Sequence, residues 1–366
     1  MTIAADVLIA LMVAFSVRHL IWVIASWKHR RAPVATDHSP HVLIAVAFRD
    51  EQDSLPRLLS GLAALDYAAE RLSICLVDDA STDRSAEQGG TWVLEQANRR
   101  LITLEKNLGK AAALNRALAS VDGTPEVVVV YDADQCPHPD SLRLLVTPFD
   151  DPGTQAVCGY RRPVFPTLNP VVAYRCLEAW THQLVNLAGK DALGLNPPTM
   201  GGNCAYRRSA LRRIGGFPQG SASEDIEVSL ALSGSGGKTR FVPEAITDDF
   251  TGDSFRRYLN QRFRWSLGLM RSRKRARGIE AAFVVAGYLD RVALLLVAAM
   301  VALGYAHPWW LLAYVIPAGA AVLTAVIKAR PGFRVGFVVL AVGPAMFVVD
   351  VLVSLSAAVY NLLPRQ

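Results

Sequence analysis

The sequence is short of cysteine. Its five, Cys75, Cys136, Cys158, Cys176 and Cys204, are unevenly spaced across 366 residues and form no C-x-x-C pair. That excludes a zinc cluster of the usual ligand spacing and a disulfide framework, and it fits a reducing, cytosolic surrounding. No internal repeat and no low-complexity tract is present. Positive charge is missing ahead of the first apolar stretch, Ala4 to Trp27, and appears only behind it, as Lys28, His29, Arg30 and Arg31. A cleaved signal peptide has the reverse order and ends in a small-residue cleavage site, so the stretch reads as an uncleaved anchor.

Apolar residues are abundant: 52% of the chain is hydrophobic and its mean hydropathy is +0.25, which points to membrane beside an ordinary catalytic-sized domain. The first stretch has about the 20 residues a bilayer-crossing helix needs. The basic residues behind it place Arg30 and the domain after it on the cytoplasmic side of the cell membrane, with the N-terminus outside. Further spans are expected at Val285 to Tyr305, Trp309 to Val326 and Val335 to Leu362, four in all. Lys328, Arg330 and Arg334 then lie inside. Pro308 and Pro317 should leave the third span short or re-entrant. Arg18 and His19 interrupt the first span, which leaves a helix partner, a polar pore or a tilted, partly interfacial segment, whereas Asp290, Arg291 and Asp350 are costly in lipid and are expected to face other helices. The net charge of +6 gathers in Arg271, Arg273, Lys274, Arg275 and Arg277, beside a span, so anionic lipid headgroups suit that run better than nucleic acid. The domain reading is an anchor over 1–31, a soluble domain over 41–254, an interfacial helix region over 255–284 and about three membrane helices over 285–366, with the polar linker 32–40 after the anchor.

Between the spans, short apolar runs alternate with helical ones, the pattern of an α/β domain with a mostly parallel sheet. Strands are expected at Val42–Phe48, Ser73–Val77, Leu101–Glu105 and Val127–Tyr131. Helices are expected at Leu55–Leu65, Ala86–Asn98, Lys110–Ser120 and Ile226–Leu232. Sheets of this kind bind ligands beyond the carboxyl ends of their strands, where Asp78, Asp79, Asp132 and Asp134 fall. Carboxylates there can accept from a uracil N–H or a ribose hydroxyl. Asp83 reads better as a cap for the helix that begins near Ser85, which leaves Asp78 and Asp79 unexplained. Asp132 and Asp134 leave a buried strand with one residue between them, hard oxygen ligands suited to Mg²⁺ or Mn²⁺ bridging to a diphosphate. Gly201-Gly202-Asn203 allows close approach of a ligand to the backbone. Asp225, after Ser223-Glu224, is a general base for a hydroxyl or a helix-start carboxylate. In Gln261-Arg262-Phe263-Arg264-Trp265, helical spacing sets Gln261, Arg264 and Trp265 on one face, suited to a diphosphate and a sugar ring or to a membrane surface.

Together these marks resemble the family 2 glycosyltransferases of GT-A fold, in particular the membrane-integrated branch of cellulose, hyaluronan, chitin and poly-N-acetylglucosamine synthases, with D, D-x-D, (T/S)-E-D and Q-x-x-R-W motifs. The resemblance covers Val42 to Trp265 and extends to the flanking spans. It implies a GT-A (Rossmann-like, mostly parallel sheet) domain plus transmembrane helices, and inverting transfer of a hexose or N-acetylhexosamine from a UDP-sugar to a growing polysaccharide. By that resemblance Asp78 and Asp79 hold the uridine and Glu51 and Lys110 approach the nucleotide. Asp132 and Asp134 face the diphosphate and metal, with Asp134 the direct ligand. Asp225 is the base beside Glu224, Gln261 and Arg264 bind the diphosphate, and Trp265 shapes the acceptor site. Ala47 and Asp50 depart from the P-x-x-N-E opening of the family. Four spans are few for a polymer channel, which leaves a compact synthase, a homo-oligomer sharing its pore, or a transferase acting on a membrane lipid. An inactive scaffold is a further alternative, against which the intact motifs speak.

Overall fold

A computed structural model describes residues 3–29, 39–220, 224–250, 252, 254–272 and 292–362. The described chain divides into two compact units: one gathers Met1–His29, Phe165–Gly194 and Thr251–Gln366, the other Arg30–Val164 and Leu195–Phe250. Residues 165–194, which sequence alone reads as part of the soluble domain, thus belong with the apolar helices.

The second unit is built on an eight-stranded sheet of order β3-β2-β1-β4-β7-β6-β8-β5. Strands β1 (Val42–Phe48), β2 (Leu72–Asp78), β3 (Arg99–Thr103) and β4 (Val127–Val130) pair in parallel. Helices α2 (Leu55–Ala63), α3 (Ser85–Val93) and α4 (Lys110–Ala119) connect them. The four valines of β4 are all buried, as β-branched residues in a strand covered on both faces should be. They join Val42, Ile44, Leu58 and Leu142 in the core. Helix α3 stops short of the expected Asn98. Arg99 folds back so that its guanidinium lies 3.7 Å from the Trp92 ring centroid and donates to the Trp92 carbonyl at 3.2 Å, which satisfies a terminal acceptor of the helix. Beyond β4 the sheet is mixed: β7 (Cys204–Arg207) is antiparallel to both neighbours, β6 (Thr154–Val164) is parallel to β8 (Lys238–Phe250), and β5 (Gln135–Pro137) closes the edge antiparallel to β8. Short helices α5 (Ser141–Val146), α8 (Arg208–Arg213) and α9 (Glu224–Gly234) complete the unit.

In the first unit, α1 (Ile3–Trp27) accompanies α6 (Pro170–Trp180), which continues through a wider π turn at Thr181–Leu187 into α7 (Ala188–Ala192). It is joined by α10 (Phe255–Ser272), α11 (Val292–Ala302), α12 (Trp309–Ala329) and α13 (Phe333–Leu362). Among the described residues, three helices are long and apolar enough to cross a membrane: Ala5–Trp27, Trp309–Ala329 and Phe333–Ala357. Of the expected span from Val285 to Tyr305, residues 292–305 are described and hold the apolar helix Val292–Ala302; 285–291, with Asp290 and Arg291, lie outside the described residues, as do Arg273 to Arg277. The span expected to be short is instead continuous over Trp309–Ala329, with Pro317 inside it. Neighbouring helices and local adjustment re-satisfy the carbonyl a proline frees, which is why apolar helices tolerate it. Asp350 is 1% exposed and faces Arg262, and His19 meets the Tyr314 ring edge to face.

Candidate functional site

Because β1, β2 and β4 run parallel, their carboxyl ends open on one edge of the sheet, where β2 ends in Asp78 and the loops leaving the strands carry Glu51, Asp79, Asp132 and Asp134. Asp78 is buried and accepts from the Ser81 backbone N–H at 3.0 Å. Asp79 accepts from the backbone N–H groups of Leu108 at 2.7 Å and Gly109 at 2.8 Å. It therefore ties the β2 loop to the loop that starts α4, and fixes where Lys110 begins. Ala80, beside them, takes φ +61°, a conformation a Cβ disfavours. Glu51 accepts from the Ser54 hydroxyl and its N–H donates to Ser85 Oγ at 2.8 Å. Asp83 accepts from the N–H of Ser85 at 2.9 Å and of Gln52 at 3.1 Å, so the helix-start reading describes it.

The two carboxylates after β4 lie between two cations. Lys110 Nζ is 2.5 Å from Asp132 Oδ1, 3.1 Å from the Gly201 carbonyl and 3.5 Å from Glu224 Oε1. Burial alone would lower its pKa, but Asp132, Glu224 and Asp225 outweigh it and keep the ammonium charged. Arg161, on β6, donates through Nε to Asp249 Oδ2 at 2.8 Å and through a terminal nitrogen to the Met200 carbonyl at 2.9 Å, with Asp132 at 3.9 Å. Asp134 is half-buried, and its carboxyl is pushed up to about 7 by burial, then by Asp249 and Asp132, against the pull of Arg161.

Glu224 and Asp225 open α9. Burial and then Glu224 push the Asp225 carboxyl up to about 6, while Lys110 and the Ile226 N–H, which it accepts at 2.8 Å, hold it down. Thr199 and Ser229 hydroxyls fix its carbonyl, at 3.3 and 2.8 Å. The glycines between β6 and β7 let these groups converge. A Cβ on Gly201 would lie 3.4 Å from both the Asp225 carboxylate and the Lys110 ammonium. One on Gly202 would collide with the Asp132 carboxylate and the Gln135 amide.

Lys110, Asp132, Asp134, Glu224 and Asp225, named from sequence, thus share one edge of this unit. Arg161 and Asp249 are not found by sequence reasoning. Their only local signal is an Arg-Arg and an Asp-Asp pair in long strand-like runs, and the parallel pairing of β6 with β8 is what joins them. Gln261, Arg264 and Trp265 are in α10 of the other unit, where Trp265 is 42% exposed, Arg264 is exposed and Gln261 half-buried. Ser223 lies outside the described residues. Among the described residues no three His, Cys, Asp or Glu side chains could hold an ion by themselves. Mg²⁺ or Mn²⁺ still fits: the ion binds through one or two carboxylates and completes its shell with water and substrate phosphate, and crowding of Asp134 by like charges is relieved by a divalent cation.

Among known proteins, the chain is 28% identical over 237 residues to the probable glycosyltransferase YdaM of Bacillus subtilis (strain 168), covering 63% of this chain and 55% of the relative. It is 26% identical over 310 residues to an N-acetylglucosaminyltransferase of Rhizobium meliloti (strain 1021), covering 76% and 70%. The chain thus spans little more than half the length of the first of these. A solved mannosyltransferase from Pyrobaculum calidifontis, in complex with GDP-Man and Mn²⁺, superposes with a TM-score of 0.61 at 22% identity over 98% of this chain and 100% of the other, a likeness of fold. The GT-A-like α/β architecture expected from the sequence is the one observed, together with helices long and apolar enough to cross a membrane. Residues 43–215, a little under half of the chain, match the model of Glycosyl transferase family 2.

Proposed function

We propose that this chain is a membrane-bound inverting glycosyltransferase that moves a hexose or N-acetylhexosamine from a UDP-sugar to a growing polysaccharide at the cytoplasmic face. The observation that carries the reading is the gathering of Asp225, Glu224, Lys110 and Asp132 about Gly201 and Gly202, at the strand ends where α/β sheets bind nucleotides. The relative named as an N-acetylglucosaminyltransferase supports the amino-sugar option.

Asp225 serves as the base. A carboxyl poised near 6 is ionised at neutral pH yet basic enough to take the proton of an acceptor hydroxyl as that oxygen attacks the anomeric carbon. Asp134, with Asp132, would hold Mg²⁺ or Mn²⁺, which when bound would supply Lewis-acid stabilisation of the leaving diphosphate. Lys110 holds Asp132 in place and adds positive charge toward the nucleotide, and Arg161 anchors Asp249 beside Asp134. Glu51, Asp78 and Asp79 shape the nucleotide end, the last two through the loops they pin. Gln261 and Arg264 take the diphosphate and Trp265 the acceptor sugar.

The test is product analysis of the purified chain in lipid with a panel of UDP-sugars. Long chains are expected; a single short glycolipid replaces the polymer acceptor with a lipid, and no UDP release from any donor removes the enzyme reading. Asp225→Asn should abolish transfer and keep UDP affinity. Transfer near the wild-type rate by that variant would show that another group is the base.

A further inference from the structure

Along α10, neighbouring charged residues have opposite fates. Arg264 is exposed, whereas the Arg262 side chain is only 15% exposed. Its guanidinium pairs with Glu178 of α6, and its Nε lies 3.4 Å from a carboxylate oxygen of Asp350 in α13. Asp350 sits within an apolar span at 1% exposure, where a carboxylate needs a cation close by. The carbon at the centre of the same guanidinium stands 5.4 Å from the Tyr258 ring centroid and 5.3 Å from that of Trp265. One turn further, the Ser266 and Ser354 hydroxyls meet at 3.3 Å. A guanidinium can satisfy carboxylates at its edge and present its flat face to an indole at once; an ammonium has no such face.

We propose that Arg262 is a positioning residue: tethered by Glu178 and Asp350, it sets the orientation of the exposed Trp265 ring and so the face α10 offers to the acceptor. The buried charge of α13 then serves to aim an aromatic ring on a neighbouring helix. This rests on the reading that Trp265 binds the acceptor.

Removing one charge alone strands the others, so two variants are needed. The neutral set Glu178→Gln, Arg262→Met, Asp350→Asn removes all three together, which leaves stability near that of the parent. Arg262→Lys keeps the charge and loses the flat face. Both are made in the full chain in nanodiscs, with and without Trp265→Phe. The emission of Trp265, taken as the difference between paired samples, should shift in wavelength and become more open to iodide quenching in both variants. With UDP-N-acetylglucosamine and N-acetylglucosamine oligomers, KM for the oligomer should rise roughly tenfold with donor KM unchanged, and show no further rise in the Trp265→Phe background. Unchanged Trp265 emission, or an equal rise in both backgrounds, overturns the proposal. Full oligomer affinity of Trp265→Phe by itself removes the acceptor role of Trp265, a failure of the underlying reading that is seen before Arg262 is touched.

Discussion

Asp225 shows what the site asks of a single residue. Its folded carboxyl sits near 6, above an ordinary aspartate, so between about pH 4 and pH 6 the folded state binds more protons than the unfolded one. Stability therefore falls as pH rises through that window and stays lower above it. Asp225→Asn, which cannot ionise, should be more stable than the parent at pH 7 by about 1–3 kcal/mol while inactive, as chemical denaturation would show. The proposed base role gives the rate the opposite dependence, because a base works only when ionised: kcat/KM should drop as pH falls below about 6. Lys110 is the cation that holds this pKa down. In Lys110→Met the acid limb should move to higher pH by about one unit, besides an overall loss; an unmoved limb separates Asp225 from the titration. Gly202 is constrained by space alone. Gly202→Ala drives a methyl into the Asp132 carboxylate and the Gln135 amide, so activity should fall by orders of magnitude while the circular dichroism spectrum is kept.

At the scale of elements, the features legible in the sequence come from local pattern, and the illegible ones come from pairing. The valines of β4 announce a buried strand, and the D-x-D behind them is delivered at its carboxyl end as expected. Asp78 and Asp79 are legible as residues of the same edge, but their partners are not. The bonds from Asp79 to Leu108 and Gly109 join loops about thirty residues apart, a relation no periodicity carries. The same is true of Arg161 and Asp249, joined across β6 and β8. The continuity of α12 through Pro317 runs against the expected short or re-entrant span, because proline removes one helical bond but an apolar setting favours keeping the rest. Ala80 marks a testable strain in the loop behind β2. Its φ of +61° suits glycine, so Ala80→Gly should leave stability unchanged or raise it by up to about 1 kcal/mol, whereas Ala80→Val should lower it.

For the whole molecule the open question is how often the chain crosses the bilayer, and charge decides what to expect. Val292–Ala302 is apolar but only about 16 Å long at 1.5 Å per residue, well short of a hydrocarbon core of about 30 Å. If it crosses, with residues before it completing the span, then α12 runs inward and Lys328, Arg330 and Arg334 lie on the cytoplasmic side. If it does not cross and the soluble unit is cytoplasmic, those three charges are carried outside, against the positive-inside tendency. Four crossings is accordingly the expected arrangement. Phe333, 91% exposed at the first position of α13, is the place to ask. In a chain freed of its five native cysteines, Phe333→Cys should resist a membrane-impermeant maleimide added to intact cells and react once the membrane is opened. Labelling in intact cells would mean an odd number of crossings between that site and the soluble unit, and with it a loop whose arginines and lysine face outward.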